Sequence, residues 1–177
     1  NAGGAFPSQA GSSDPNAGAS WSSTNYAAQS TGSGTSGFEF AVPTTSFADI
    51  QISFDARPSN TASRYYEIKY SVDGTNFLSA ATPAVYAITG ANWRQNMTLD
   101  LTGITAADNN PNFKIRLVSV FSPEDFTANS IFFPANTAYQ PSGTALTAAY
   151  APTSGTFRID MVTISGNPTL PTPPTAL

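Results

Sequence analysis

The side chains able to do chemistry in this chain are carboxylates, hydroxyls, amides and aromatic rings, because its 177 residues include no histidine and no cysteine. A Ser-His-Asp triad, an imidazole metal ligand and a thiol nucleophile are therefore excluded. What remains for hydrolysis is two carboxylates at a defined separation, with Asp55, Glu67, Asp73, Asp100, Glu124 and Asp125 available. Most of these fall on the polar positions of alternating strands or in turns, where a solvated carboxylate is the expectation, so the chain reads as non-enzymatic. Oxygen donors without softer ligands also suit a hard cation, which makes calcium the cofactor to consider. Aromatic faces can stack on sugar rings while amides and guanidinium groups bond the hydroxyls. Tyr65, Trp93 and Tyr139 form a candidate carbohydrate platform, with Trp21 and Tyr150 also in or beside loops. Tyr65 is the sharpest case, since alternation turns Tyr66 inward and leaves Tyr65 outside. The competing expectation is that both tryptophans plug sandwich ends or subunit contacts.

The elements that must position these groups read as strands. Residues 64–77, RYYEIKYSVDGTNF, alternate Tyr66, Ile68, Tyr70 and Val72 with Glu67, Lys69 and Ser71 before an Asp73-Gly74 turn, the pattern of a half-buried strand entering a hairpin. Similar alternation marks residues 38–42, 48–56, 94–101 and 156–164, and residues 112–121 turn apolar on both faces, as a central strand does. Weaker strands are expected at 84–88, 130–133 and 144–150. Gly, Pro, Asn and Asp cluster between the runs too often for helices, and residues 101–107 are the best place for one short helical turn. The fold class is all-β, a sandwich of two stacked antiparallel sheets. Three segments are expected: an extended Gly/Ser/Ala-rich arm over 1–36, a β-sandwich over 37–166 and a Pro-rich tail over 167–177.

Composition narrows the partners. Charged residues are 10% of the chain, against about 25% in an average soluble protein, and the formal charge is −4. Seven scattered basic residues offer no footprint for a phosphate backbone, so nucleic acid is a poor partner. No apolar run approaches the roughly 20 residues that span a bilayer, so membrane insertion is not expected. A start at Asn1 in the small-residue run NAGGA, together with hydroxyl and amide richness, gives the expectation of an exported protein with a processed N-terminus, extracellular or on the cell surface.

The segments FEFAV, FADIQISFDARPS, YYEIKYSVDGTNF, LTGITAADNNPNFKIRLV and GTFRIDMVTISG, spanning residues 38–166, together resemble the jelly-roll domains of secreted bacterial multidomain proteins, including those with PEP-CTERM-type or related surface-sorting tails. Residues 70–74 (YSVDG) and 157–160 (FRID) are the most specific pieces. The resemblance implies an exported, non-catalytic jelly-roll β-sandwich, similar in build to carbohydrate-binding modules, a fold that does not by itself imply sugar binding. It also implies a place for calcium, because in such modules an Asp on the last strand joins N-terminal residues around the ion. Asp160 matches that place, with Asp14, Asn16 and Asn25 as partners; the alternative is that Asp160 pairs with Arg158 or Arg116 or faces solvent.

The tails carry the functional expectation. A terminal segment that adds to an open sheet edge of a neighbour, as in donor-strand complementation, makes the exposed edge a joint rather than a liability. The expected function is a non-enzymatic structural protomer of a surface filament or layer, a homopolymer with Phe6, Trp21 and Tyr26 as subunit contacts. The alternatives are a carbohydrate-binding module whose partner is a polysaccharide, and a calcium-stabilised spacer.

Overall fold

Apolar alternation in four strands builds the two faces of the core. In β4 (Phe47–Pro58) the inward set is Ile50, Ile52, Phe54 and Ala56, and in β8 (Trp93–Asp100) it is Met97 and Leu99. Opposite them stand Ile68 of β5 (Tyr65–Ser71) and Ile115 and Leu117 of β9 (Lys114–Ser119). Each such side chain contributes about 1.5–3 kcal/mol when fully buried. The computed structural model describes residues 8–9, 11–15, 20–27, 32, 34–63, 65–79, 85–87, 92–120, 150–151 and 153–169. Over these the chain is an all-β sandwich of two antiparallel sheets, with one 3-10 turn, Thr105–Ala107, inside the stretch where the sequence favours a helical turn.

Sheet I has the order β1-β8-β4-β10-β2, with β1 at Ser8–Gln9, β2 at Trp21–Ser23 and β10 at Phe157–Pro168. Sheet II runs β3-β9-β5-β6, with β3 at Gly37–Ala41 and β6 at Leu78–Ser79, and β7 (Val85–Ala87) also pairs with β5. The expected strand over 156–164 is longer than its pattern, because it carries an irregularity. Its pairing with β4 shifts between Asp160 and Thr163, and Met161 has a left-handed φ of 51°. A bulge of this kind inserts one residue and reverses which parity faces the core. Phe157 and Ile159 point inward before it, Val162 and Ile164 pack on the core after it, and Met161 is left 41% exposed.

Strand pairing reaches beyond residues 37–166 on both sides. Within residues 1–36, β1 and β2 are the outer strands of sheet I, and Tyr26 is a core residue. The last strand continues to Pro168, and Thr169 N–H bonds the Ser46 carbonyl at 2.9 Å, so the first residues of the expected tail belong to the sheet. The expected strand over 130–133, and that over 144–150 except for its last residue, lie outside the described residues.

Candidate functional site

The N-terminal segment crosses the outer face of sheet I as a strap. It starts on one margin, where Ser8 and Gln9 pair with Arg94 and Trp93 of β8, and ends on the other, where Trp21, Ser22 and Ser23 pair with Ile159, Arg158 and Phe157 of β10. Between the two, Gln95 Nε2 donates to the Gly11 carbonyl at 3.1 Å. The strap is then gripped by two carboxylates. Ser13 N–H donates to Asp55 Oδ2 at 2.5 Å, and Ser12 Oγ donates to Asp160 Oδ2 at 2.7 Å.

Asp55 and Asp160 are register partners on adjacent strands, and each is needed by the backbone as well. Asn96 (φ 55°) gives its N–H to Asp55 Oδ1 at 2.8 Å, and Met161 gives its N–H to Asp160 Oδ1 at 2.9 Å. Both donors sit where the strand pairing is irregular, and there an N–H leaves the ladder and needs another acceptor. Each of the four carboxylate oxygens therefore has a donor, three of them backbone N–H groups. Such a set is built to hold chain.

Beyond the strap, the side of the sandwich at β2 is apolar. Trp21 is 57% exposed and stacks on Phe40 of β3 at 5.1 Å between ring centroids, joining the margins of the two sheets. A groove of about 230 Å³ beside it is lined by Trp21, Ile159, Asp160, Met161 and Val162. At the other end of β2 the chain turns inward. The Tyr26 hydroxyl bonds Ser23 Oγ, Tyr150 Oη donates to the Ala27 carbonyl at 2.8 Å, and Tyr66 stacks on Phe157 at 3.6 Å. Burial pushes the Tyr26 hydroxyl up to about 12, against the lowering pull of its Ser23 bond, and burial likewise raises Tyr66 and Tyr150.

Two of the three residues expected to bind sugar are buried. Tyr65 is 1% exposed and Trp93 6% exposed, so neither offers a free face, and Tyr139 lies outside the described residues. Tyr65 is inside because β5 is central in sheet II and both of its faces are covered: Glu67 on the outward parity is buried too, held by Lys69 at 3.4 Å and by Ser79 Oγ. Of the expected calcium set, Asp160 and Asn25 are not brought together, and Asn16 lies outside the described residues. Asp160 lies with Asp55 and Ser12, whereas Asn25 lies beyond Ser23, past the opposite end of the β2–β10 pairing. Asp14 follows the gripped Ser13, and its N–H reaches Ser12 Oγ at 3.4 Å. A cation here would have to displace the N–H donors already on the oxygens. Among the described residues no group of three or more Asp, Glu, His or Cys side chains could hold a metal, and no helix is long and apolar enough to cross a membrane.

Of the expected subunit contacts, Trp21 is at the surface, Tyr26 is 7% exposed within its own domain, and Phe6 lies outside the described residues. Asp55 was not singled out as a binding residue. Its signal in the sequence is an acid in the middle of the apolar run ISFDA, where a carboxylate needs donors. No family model, curated protein or solved structure matches the chain.

Proposed function

We propose that this chain is a non-enzymatic structural protomer, exported to the cell surface or beyond, that assembles by passing its N-terminal strap to the sheet I of a neighbouring copy. The observation that carries this reading is the strap itself. It is held by contacts far apart in sequence, two short strand pairings, two carboxylates and a buried tyrosine, all of which another copy offers equally well. The connection to the sandwich is Gly/Ser/Thr-rich over 28–37 (AQSTGSGTSG), and Gly32 and Gly34 take left-handed backbone (φ 59° and 73°) that glycine adopts without strain. A hinge of that composition suits exchange of an identical element between copies. The low charge and the hydroxyl-rich surface support the extracellular reading.

Absence of cysteine makes the test clean. Ser22 and Arg158 are register partners and both exposed, so Ser22→Cys with Arg158→Cys reports which copy the strap lies on. A ladder of covalent multimers after oxidation is expected; a single monomer with an internal disulfide would sink the proposal. A second reading, a saccharide platform, is favoured by the exposed Trp21 beside its groove. It requires Trp21→Ala to lose retention on a polysaccharide gel while the oligomeric state is unchanged.

A further inference from the structure

The geometry points to a second joint, independent of strap exchange: the free edge of β10 over residues 160–168 pairs antiparallel with the same edge of another copy. β10 is paired with β4 along its length but with β2 only at residues 157–159. Among the described residues, nine positions of its outer edge (160–168) therefore carry no strand. Natural edges of that length are guarded by lysines, inward charges, proline or β-bulges. This one has no charge over 161–168 and no proline before Pro168, and its irregularities at Asp160/Thr163 and Ser165/Asn167 leave Thr163–Ser165 in register. Two of the four exposed large hydrophobics among the described residues lie along it: Trp21 opposite Ile159, and Met161 itself.

The edge is also complementary to itself. Antiparallel pairing about Ile164 sets Thr163 against Ser165, Val162 against Gly166 and Asp160 against Pro168, so the two carboxylates stand at opposite ends. The incoming strand continues the line that β2 begins and ends where β2 blocks it. Sheet I of one copy then runs into sheet I of the next. The joint is isologous, so it makes pairs, and with strap exchange, which uses the adjoining residues 157–159 of the same edge and the outer face of sheet I, it would extend a chain of copies. A nine-residue strand pair is smaller than the roughly 800 Å² per partner of a standard stable interface, so a weak dimer is the expectation.

The test is sedimentation equilibrium of the full Ser22→Cys/Arg158→Cys chain refolded slowly at high dilution and oxidised there, so that each strap is locked on its own sheet and strap exchange is removed. A reversible dimer is expected, weakened about tenfold or more by Thr163→Lys with Ser165→Lys, which sets like charges opposite each other on an exposed face. A strict monomer up to about millimolar protein, a range chosen for the weak affinity of small interfaces, would overturn the proposal, as would a dimer indifferent to the lysines. Oxidation of the locked chain carrying Thr163→Cys mixed with that carrying Ser165→Cys fixes the register: the mixed pair is expected to cross-link ahead of either alone, and equal cross-linking in all three samples overturns it.

Discussion

Asp55 and Asp160 stand opposite each other on adjacent strands, and each gives one oxygen to the backbone of its own sheet and the other to the strap. Side chains of such register partners lie about 5 Å apart, where two unit charges at an effective dielectric of 20 repel by about 3 kcal/mol. Hydrogen bonds to a charged group are worth about 1.5–3 kcal/mol each. Four of them outweigh the repulsion, so removing the strap would leave the pair with half its donors. The strap and the carboxylates stabilise one another.

Replacing Asp55 by Ala is expected to destabilise the protein by about 2 kcal/mol or more, since two N–H groups lose their acceptor at a residue 1% exposed. Asp160→Ala should cost about half as much, because water reaches its half-buried position. Urea unfolding of both variants checks the order, and amide exchange should quicken at Ser13 in the first. Equal effects would mean that Asp55 does not anchor both segments.

Fluorescence separates the two tryptophans. Trp21 is 57% exposed and Trp93 6% exposed, so iodide should quench about half of the native emission. Trp21→Phe is expected to leave emission that iodide barely touches; residual quenching would place Trp93 at the surface after all.

High pH should unfold the protein through its tyrosines. Tyr26, Tyr66 and Tyr150 are all raised by burial, so above the ordinary value near 10 the unfolded chain loses protons that the folded one keeps. The stability they contribute is present below about pH 10 and lost as pH rises towards 12, with Tyr26 alone accounting for about 2–3 kcal/mol. Absorbance at the phenolate band, followed with far-ultraviolet circular dichroism, should show these tyrosines ionising together with loss of the sheet. A smooth titration near 10 that leaves the sheet intact would contradict it.

Among the described residues Tyr66 Oη is buried without a hydrogen-bond partner, which costs about 1–3 kcal/mol relative to an apolar atom in its place. Tyr66→Phe keeps the ring on Phe157 and should leave thermal stability unchanged or raised. A clear drop in melting temperature would show that the hydroxyl has a partner in solution.

The strands over 48–56, 64–72, 94–101 and 112–121 were legible because one face of each meets the core and a period of two is all that such a face requires. The Asp73-Gly74 turn was legible too, and Asp73 caps it with bonds to Asn76, Thr75 and Ser71 that hold its carboxyl well below the usual range. Tyr65 was misplaced because alternation separates two faces and says nothing about whether the second is also covered. Met161 hid the shift in β10, since a one-residue bulge is a backbone conformation that no side-chain pattern announces. The strap was invisible for a different reason. Ser12, Ser13 and Ser22 contribute through hydroxyls and main-chain N–H groups, so the composition of a flexible segment and that of a gripped one are the same. Asp55 and Asp160 are 105 positions apart, as their numbers show, and only the register of β4 with β10 makes them a site.

That separation sets an order of events. Ser12 and Asp160 are 148 residues apart, and β2 has no partner until β10, the last strand described, has been synthesised and has joined β4. Closing so long a loop is among the slowest steps open to a small β protein, so the strap is expected to dock last and to stay solvated while the sandwich forms around its core. Chains made side by side, in high local concentration, would meet one another during that interval. If straps exchange as proposed, closure on the chain's own sheet or on a neighbour's would be settled by kinetic competition at birth, and slow, dilute refolding would favour the self-closed form.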